Sequence, residues 1–234
     1  MGLTMSWMTR WFPPRCLLCG EPGWRGRALC AGCDADLPRI EAACRRCGEA
    51  LPATGPGLPA LTVCGACLWR PPPFTAIEVP FAYAAPIDWC VRRLKFHRDL
   101  AAGRLLGELL AEKILQAPPS VGAVVPVPLH GGRLLERGFN QAVEIARPVA
   151  SGLAVPLVTE ALNRSRAAPA QMDLPADQRR ANVRGVFAPG GQPVAGTVLL
   201  VDDVVTTAST VREASRALLR AGADGVRVLA VARA

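Results

Sequence analysis

Apolar residues 121–126, 198–201 and 226–231 form three short runs too brief for a buried helix, so each is read as a strand buried on both faces. Residues 77–83, Ile-Glu-Val-Pro-Phe-Ala-Tyr, alternate like a fourth strand. Between these runs the period changes. Residues 100–115 carry an amphipathic helical pattern with Glu108 and Glu112 on its polar side, and 139–150 predict a helix weakened at Pro148. Residues 209–221 predict a third helix, stopping at Ala221-Gly222. Strands alternating with helices imply an α/β fold with a mainly parallel sheet covered on both faces.

The first 70 residues lack such runs and hold cysteines instead. Eight of the nine cysteines form four Cys-x-x-Cys pairs, Cys16/Cys19, Cys30/Cys33, Cys44/Cys47 and Cys64/Cys67, with gaps of 10, 10 and 16 residues. Each pair places two thiolates on one tight knuckle, and two knuckles complete a tetrahedral zinc site. Two structural Zn2+ ions are therefore expected, with sequential pairing (16/19/30/33 and 44/47/64/67) preferred over a crossed one. A disulfide framework belongs to exported chains, and residues 1–10 lack the apolar core of a signal peptide. A module at 14–70 would then draw much of its folding free energy from metal. Residues 51–59 read as an irregular loop within it. Prolines 71–73 form a stiff hinge, and 74–234 form the α/β domain. Cys90, among apolar neighbours, is read as a core residue.

Composition narrows the partners. The 234 residues are half hydrophobic and carry a net charge of +8, which suits acidic ligands such as phosphates and tolerates nucleic acid without requiring it. No run approaches the ~18 apolar residues of a membrane span. The expected location is cytoplasmic.

The chemistry concentrates where the 198–201 run meets Asp202-Asp203-Val204-Val205-Thr206-Thr207-Ala208-Ser209-Thr210. A buried strand, an acidic pair, a hydroxyl-rich turn and a helix start make an anion site at a strand's C-terminal end. Backbone N–H groups there suit phosphate, and the carboxylates suit ribose hydroxyls or hydrated Mg2+. This segment resembles the phosphoribosyl pyrophosphate (PRPP) motif of type I phosphoribosyltransferases. The wider chain resembles the ComF family, in which a zinc ribbon precedes such a domain. The resemblance implies a type I phosphoribosyltransferase-like fold behind a double zinc ribbon. It assigns Asp202 and Asp203 to the ribose and catalysis, and residues 204–210 to the PRPP loop. That loop comprises Val204, Val205 and Ala208 with the hydroxyls of Thr206, Thr207, Ser209 and Thr210 cradling the 5′-phosphate.

Two further segments fit the resemblance. Pro126-Val-Pro-Leu-His130, leading through Arg133 to Arg137-Gly-Phe-Asn-Gln141, matches the family's signature. Read from its residues alone it is a strand-end loop with two arginines four apart, whose forks match phosphate oxygens. The resemblance places Val127, Pro128, Arg133 and Arg137 at the pyrophosphate. The basic cluster Arg92, Arg93, Lys95, His97 and Arg98 resembles the family's Leu-Lys-Phe segment, and Lys95 is expected to reach phosphates or nucleic acid. The long polar stretch 163–183 reads as a lid, with Arg164, Arg166, Gln171, Arg179 and Asn182 matching the family pattern. One departure stands out: Ala208 replaces a usual glycine, at roughly 1–2 kcal/mol if its backbone is left-handed and at no cost otherwise.

The expected activity is transfer of the phosphoribosyl group from PRPP with Mg2+, to an acceptor the sequence does not name, in DNA uptake or use of external DNA. The competing reading is a non-catalytic module binding single-stranded DNA, with Trp11, Phe12, Trp24 and Trp69 available to stack bases, although filling the small ribbon cores is the preferred use for them. In that reading the PRPP site is vestigial or regulatory. Other proteins of competence and DNA uptake are candidate partners in both, and a scaffold using a degenerate site is a third reading.

Overall fold

The computed structural model describes residues 14–52, 62–164 and 185–234. Its elements run α1 (Ala31–Ala35), α2 (Gly65–Trp69), β1 (Ala76–Glu78), β2 (Phe81–Ala82), α3 (Ile87–His97), α4 (Leu100–Leu115), β3 (Ala123–Pro126), α5 (Gly131–Arg137), α6 (Gln141–Leu153), β4 (Leu162–Arg164), β5 (Phe187–Pro189), β6 (Thr197–Val205), α7 (Ser209–Arg220) and β7 (Gly225–Arg233). The main sheet is parallel throughout, in the order β1-β7-β6-β3, with β2 also on β7. It is the expected parallel sheet with flanking helices behind a cysteine-rich module. Among the described residues no helix is long and apolar enough to cross a membrane.

Both faces of the central strand are covered, which is why its sequence reads as one unbroken apolar run. Leu199 and Val201 point to one face, where Leu106, Leu110 and Ile114 of α4 and Ile145 and Val149 of α6 pack. Val198 and Leu200 point to the other, against Val211, Ala214 and Leu218 of α7. Each fully buried Leu or Val contributes about 1.5–3 kcal/mol relative to exposure. The cores on the two faces hold β6 rigid up to the position where its polar residues begin.

Several elements differ from expectation for local reasons. Residues 77–83 form two short strands, because Pro80 between them has no N–H to give a ladder. The helix expected at 139–150 starts at Gln141, capped by the Asn140 side chain, and runs through Pro148 to Leu153. Residues 131–137 form α5 rather than the expected loop, started by His130 Nδ1 accepting from Gly132 N at 3.2 Å. Arg92, Arg93, Lys95 and His97 of the basic cluster belong to α3, with Arg98 as its C-cap, and the helix's buried Ile87, Cys90, Val91 and Leu94 have helical spacing that the surrounding charges obscure.

The cysteine-rich module packs directly on the α/β part. Cys16, Leu29 and Leu37 join the core beneath α4, and Arg25 and Arg27 both pair with Glu112, Arg25 at 3.2 Å. Its backbone also reaches the outer strands. Arg45 O accepts from Ile77 N (2.9 Å), Ile40 N donates to Pro80 O (2.9 Å), and Pro38 O accepts from Ala82 N (2.8 Å).

The approach of α4 to α6 depends on Gly107. A Cβ built there would lie 2.5 Å from Ile145 O and 2.8 Å from Pro148 Cγ, and backbone cannot yield as a side chain can. Gly107→Ala is therefore expected to destabilise the protein by about 1–3 kcal/mol in urea unfolding, despite alanine's better helix propensity.

Candidate functional site

The carboxylates of Asp202 and Asp203 sit inside β6, since the strand continues to Val205, pairing Asp202 with Ala230 and Val205 with Arg233. They are 8% and 5% exposed. Asp202 Oδ1 accepts from Asp203 N (2.9 Å), and Asp203 Oδ1 accepts from Val204 N (2.6 Å). Beyond Val205 the chain turns and enters α7. A small open cavity lies over the turn, lined by Asp202, Val204, Val205, Thr206, Ala208, Ser209, Thr210 and Val211. Thr207 is absent from that lining; its hydroxyl and that of Ser209 share a hydrogen bond of 2.8 Å.

Ala208 resolves the question raised by its sequence. Its backbone is left-handed, φ 58° and ψ 10°, the region where glycine is at ease and alanine is strained. It caps α7 without a side-chain hydrogen bond. The helix dipole therefore meets the cavity at a position no capping side chain occupies.

Cations converge on the acidic pair from three other elements. Lys95 of α3 brings Nζ to 2.8 Å from Asp203 Oδ2, an ionic contact without hydrogen-bond alignment. Arg137, at the end of α5, is charge-coupled to Asp203 and Arg133; Arg164, in β4, to Arg133 and Asp202. Burial pulls both guanidiniums below their ordinary pKa, and Arg133 adds to the effect. Among the described residues no carboxylate lies within ion-pair distance of Arg133, Arg137 or Arg164, and Arg164 Nε is buried without a hydrogen bond. Burial raises Asp202 from 3.8 to about 7, with Asp203 reinforcing it, the Asp203 N–H opposing it and Lys95 and Arg164 offsetting it in part.

The 126–141 segment shows how its residues divide the work. Val127 N donates to Val201 O (2.9 Å), tying the loop to β6. Asn140 Nδ2 donates to Val127 O (3.0 Å) while its Oδ1 caps α6. Gly138, at φ 80°, ends α5, and Gln141 Oε1 accepts from Arg137 (2.6 Å). Pro128 is part-buried beside them. Gly138, Asn140 and Gln141 thus orient Arg137.

Of the expected lid, Arg164 is described. It stands in the short antiparallel β4–β5 ladder, 5.5 Å from the Phe187 ring, and its charge is felt at Asp202. Arg166, Gln171, Arg179 and Asn182 lie outside the described residues. Two residues of the basic cluster spend their charge elsewhere: Arg92 pairs with Asp88 at 2.8 Å and Arg93 with Asp99 at 2.7 Å. Sequence reasoning missed Arg233, whose guanidinium donates to Val205 O at 3.2 Å. Its one visible signal was a basic residue ending an apolar strand.

The cysteines form two clusters, Cys16/Cys19/Cys30/Cys33 and Cys44/Cys47/Cys64/Cys67, with all sulfurs of each within 4.8 Å of one another. This is the sequential pairing. The Cys19–Cys30 and Cys47–Cys64 sulfurs are 3.5 and 3.6 Å apart, near the ~3.8 Å edge of a tetrahedron with ~2.3 Å Zn–S bonds. Burial opposes ionisation, but N–H groups from Cys30, Cys19 and Leu18 hold Cys16 down at about 6, and those of Cys64, Arg46 and Cys47 hold Cys44 at about 7. Burial and the neighbouring thiols push Cys33 up. Crowded thiolates of this kind repel one another until a dication joins them, so the donor sets fit structural zinc. Cys90, as expected, is buried, and burial pushes its thiol up to about 11.

Residues 7–68 match the double zinc ribbon domain. The chain is 36% identical over 228 residues to the DNA utilization protein YhgH of Escherichia coli O157:H7, covering 94% of this chain and 97% of that protein. It is 29% identical over 236 residues to competence protein F of Haemophilus influenzae, covering 97% and 100%. Among solved structures it resembles a glutamine PRPP amidotransferase from B. subtilis complexed with ADP and GMP, with 23% identity and a TM-score of 0.38 over 55% of this chain and 25% of that one. A superposition of that quality carries no argument about activity.

Two outcomes follow from this geometry. Ala208→Gly removes the left-handed strain but loosens the unfolded chain, so thermal unfolding should show stabilisation of up to about 1 kcal/mol. Elemental analysis of purified protein should find two zinc ions per chain, and Cys44→Ser should lower that to one.

Proposed function

The chain belongs to the ComF family, and on that footing we propose that it is a phosphoribosyltransferase-like protein that binds PRPP with Mg2+ in the use or uptake of external DNA. The observation that carries this reading is the convergence of Lys95, Arg137 and Arg164 on an acidic pair, with Arg133 near the two arginines, beside a hydroxyl-lined helix start that no side chain caps. A phosphate alone needs no carboxylates, and a metal alone needs no arginines. A sugar carrying phosphate at both ends needs all of them.

In this reading the 5′-phosphate lies in the turn at 206–210, with α7's dipole and hydroxyls facing it. Asp202 and Asp203 accept from the ribose hydroxyls. Arg133 and Arg137, set beside Val127 and Pro128, hold the pyrophosphate, and Lys95 exchanges Asp203 for a phosphate oxygen. The carboxylate oxygens are of the hard type that magnesium takes, and Asp202 is the member of the pair that Lys95 does not contact as an ion pair. Mg2+ held there with PRPP would supply neutralising charge at the pyrophosphate. In the reaction the bond from the anomeric carbon to pyrophosphate would break and a bond to the acceptor would form, through a cationic sugar stabilised by placed charge rather than a covalent nucleophile.

A second reading has its own support. Trp69 is 88% exposed at the end of α2, and Trp24 carries Arg25 over its ring at 4.1 Å. Neither fills a ribbon core, contrary to expectation, and exposed rings beside basic groups suit stacking on single-stranded DNA. Trp11 and Phe12 lie outside the described residues.

Calorimetry with PRPP and Mg2+ on zinc-loaded protein should show binding, weakened about tenfold or more by Asp202→Asn with Asp203→Asn. No heat from the wild type would sink the reading. Pyrophosphate release across a panel of nucleobases and DNA would identify the acceptor. Binding should also depend on pH. A raised Asp202 stays protonated in the folded state between about pH 4 and 7, so it lowers stability as pH rises through that window. The ionised form is the one that accepts ribose hydroxyls. PRPP affinity should therefore climb between about pH 6 and 8, and Asp202→Asn should flatten the climb.

A further inference from the structure

Arg233 is the penultimate residue and the last of β7. It lies across from Val205 in the ladder, where β6 gives way to the turn. Val205 O accepts twice there, from the Arg233 guanidinium at 3.2 Å and from Ala234 N at 3.0 Å. This carbonyl belongs to the peptide leading into Thr206. Its direction sets how the turn leaves the sheet.

The other end of the guanidinium is held by Glu49. Glu49 is the residue after the knuckle Cys44-Arg-Arg-Cys47-Gly48, and its backbone closes that knuckle: Glu49 O accepts from Cys44 N at 2.7 Å. The knuckle is seated on the sheet by contacts of its own. Arg45 O accepts from Ile77 N of β1, and Gly48, at φ +73°, lies where a Cβ would come within 2.9 Å of Val79 Cγ2. The second cysteine cluster thus fixes Glu49, Glu49 orients Arg233, and Arg233 fixes the carbonyl at the start of the turn.

We propose that Arg233 is a positioning residue for the turn at 206–210 and that the metal-binding knuckle Cys44–Glu49 sets its orientation, so that order in the second ribbon site supports anion binding on the sheet. This rests on the reading of that turn as a phosphate site. Arg233 touches no ligand in this scheme. The Glu49 carboxylate is 56% exposed while the Arg233 side chain is 15% exposed. The link is therefore a partly screened charge contact at its outer end and a sheltered hydrogen bond at its inner end.

The test uses full-length zinc-loaded wild type, Glu49→Gln, Arg233→Met and the double variant. Elemental analysis should show an unchanged zinc content in all four. Hydrogen exchange should then quicken about threefold or more in peptides spanning residues 203–212, in each single variant and without ligand. PRPP affinity should fall about threefold to tenfold in Arg233→Met, less in Glu49→Gln, and the second substitution should add nothing to the first. Unchanged exchange at 203–212 in both single variants, or an increase spread evenly over the chain, would overturn the proposal. Wild type that fails to bind PRPP would defeat the ligand reading alone, and the exchange arm would still decide the role of Arg233.

Discussion

Two neighbouring carboxylates at the buried end of the central strand set the terms for everything around them. Removing one charge from water is costly and removing two side by side is more so, unless compensation is built in. Here compensation comes from different parts of the chain: α3 supplies Lys95, α5 supplies Arg137, and β4 supplies Arg164. These elements are far apart in sequence, and the acidic pair gives them a common point to face. The excess of cations is informative in its own right. Lys95, Arg133, Arg137 and Arg164 outnumber Asp202 and Asp203, an excess that suits an anionic ligand.

The rigid parts of the site explain why the charges stay separated rather than collapsing together. Val127 is tied to β6, Asn140 to Val127, and Gln141 to Arg137. A guanidinium already held on one edge loses less freedom when it meets a phosphate than a free surface arginine does. Gly138 allows the chain to turn between the arginine and its anchors. The strained alanine at 208 shows the opposite economy: the backbone bends where the helix start must face the cavity, although the residue there is poorly suited to it.

How much of this was legible depended on whether the signal was local. The apolar runs of β3, β6 and β7 announced buried parallel strands, because covering both faces leaves no alternation to misread. The Cys-x-x-Cys spacing announced both clusters, since a knuckle brings its own thiolates together. Helix α3 was hidden, its four buried positions crowded by the four basic side chains Arg92, Arg93, Lys95 and His97. The loop-like stretch at 131–137 became a helix once His130 provided a cap, a contact that composition does not advertise. Arg164 was visible as a basic residue in a polar stretch; that its charge is felt at Asp202 is a tertiary fact accompanying the β4–β5 pairing. Arg233 was the hardest to find. Its role depends on a carbonyl and a carboxylate separated from it by 28 and 184 residues.

The docking of the cysteine module on β1 and β2 has a consequence for how the chain can be divided. A parallel sheet ends in a row of unmet donors and acceptors, and a row of that kind recruits whatever strand comes near. Here Pro38, Ile40 and Arg45 meet part of that row with backbone of their own. The ribbon therefore serves the sheet as a border as well as being an attachment to it. A chain cut at prolines 71–73 would keep the carboxylates and the turn, but would present a newly bare margin to its neighbours. Self-association, rather than a missing contact to ligand, would then be the first symptom of the cut.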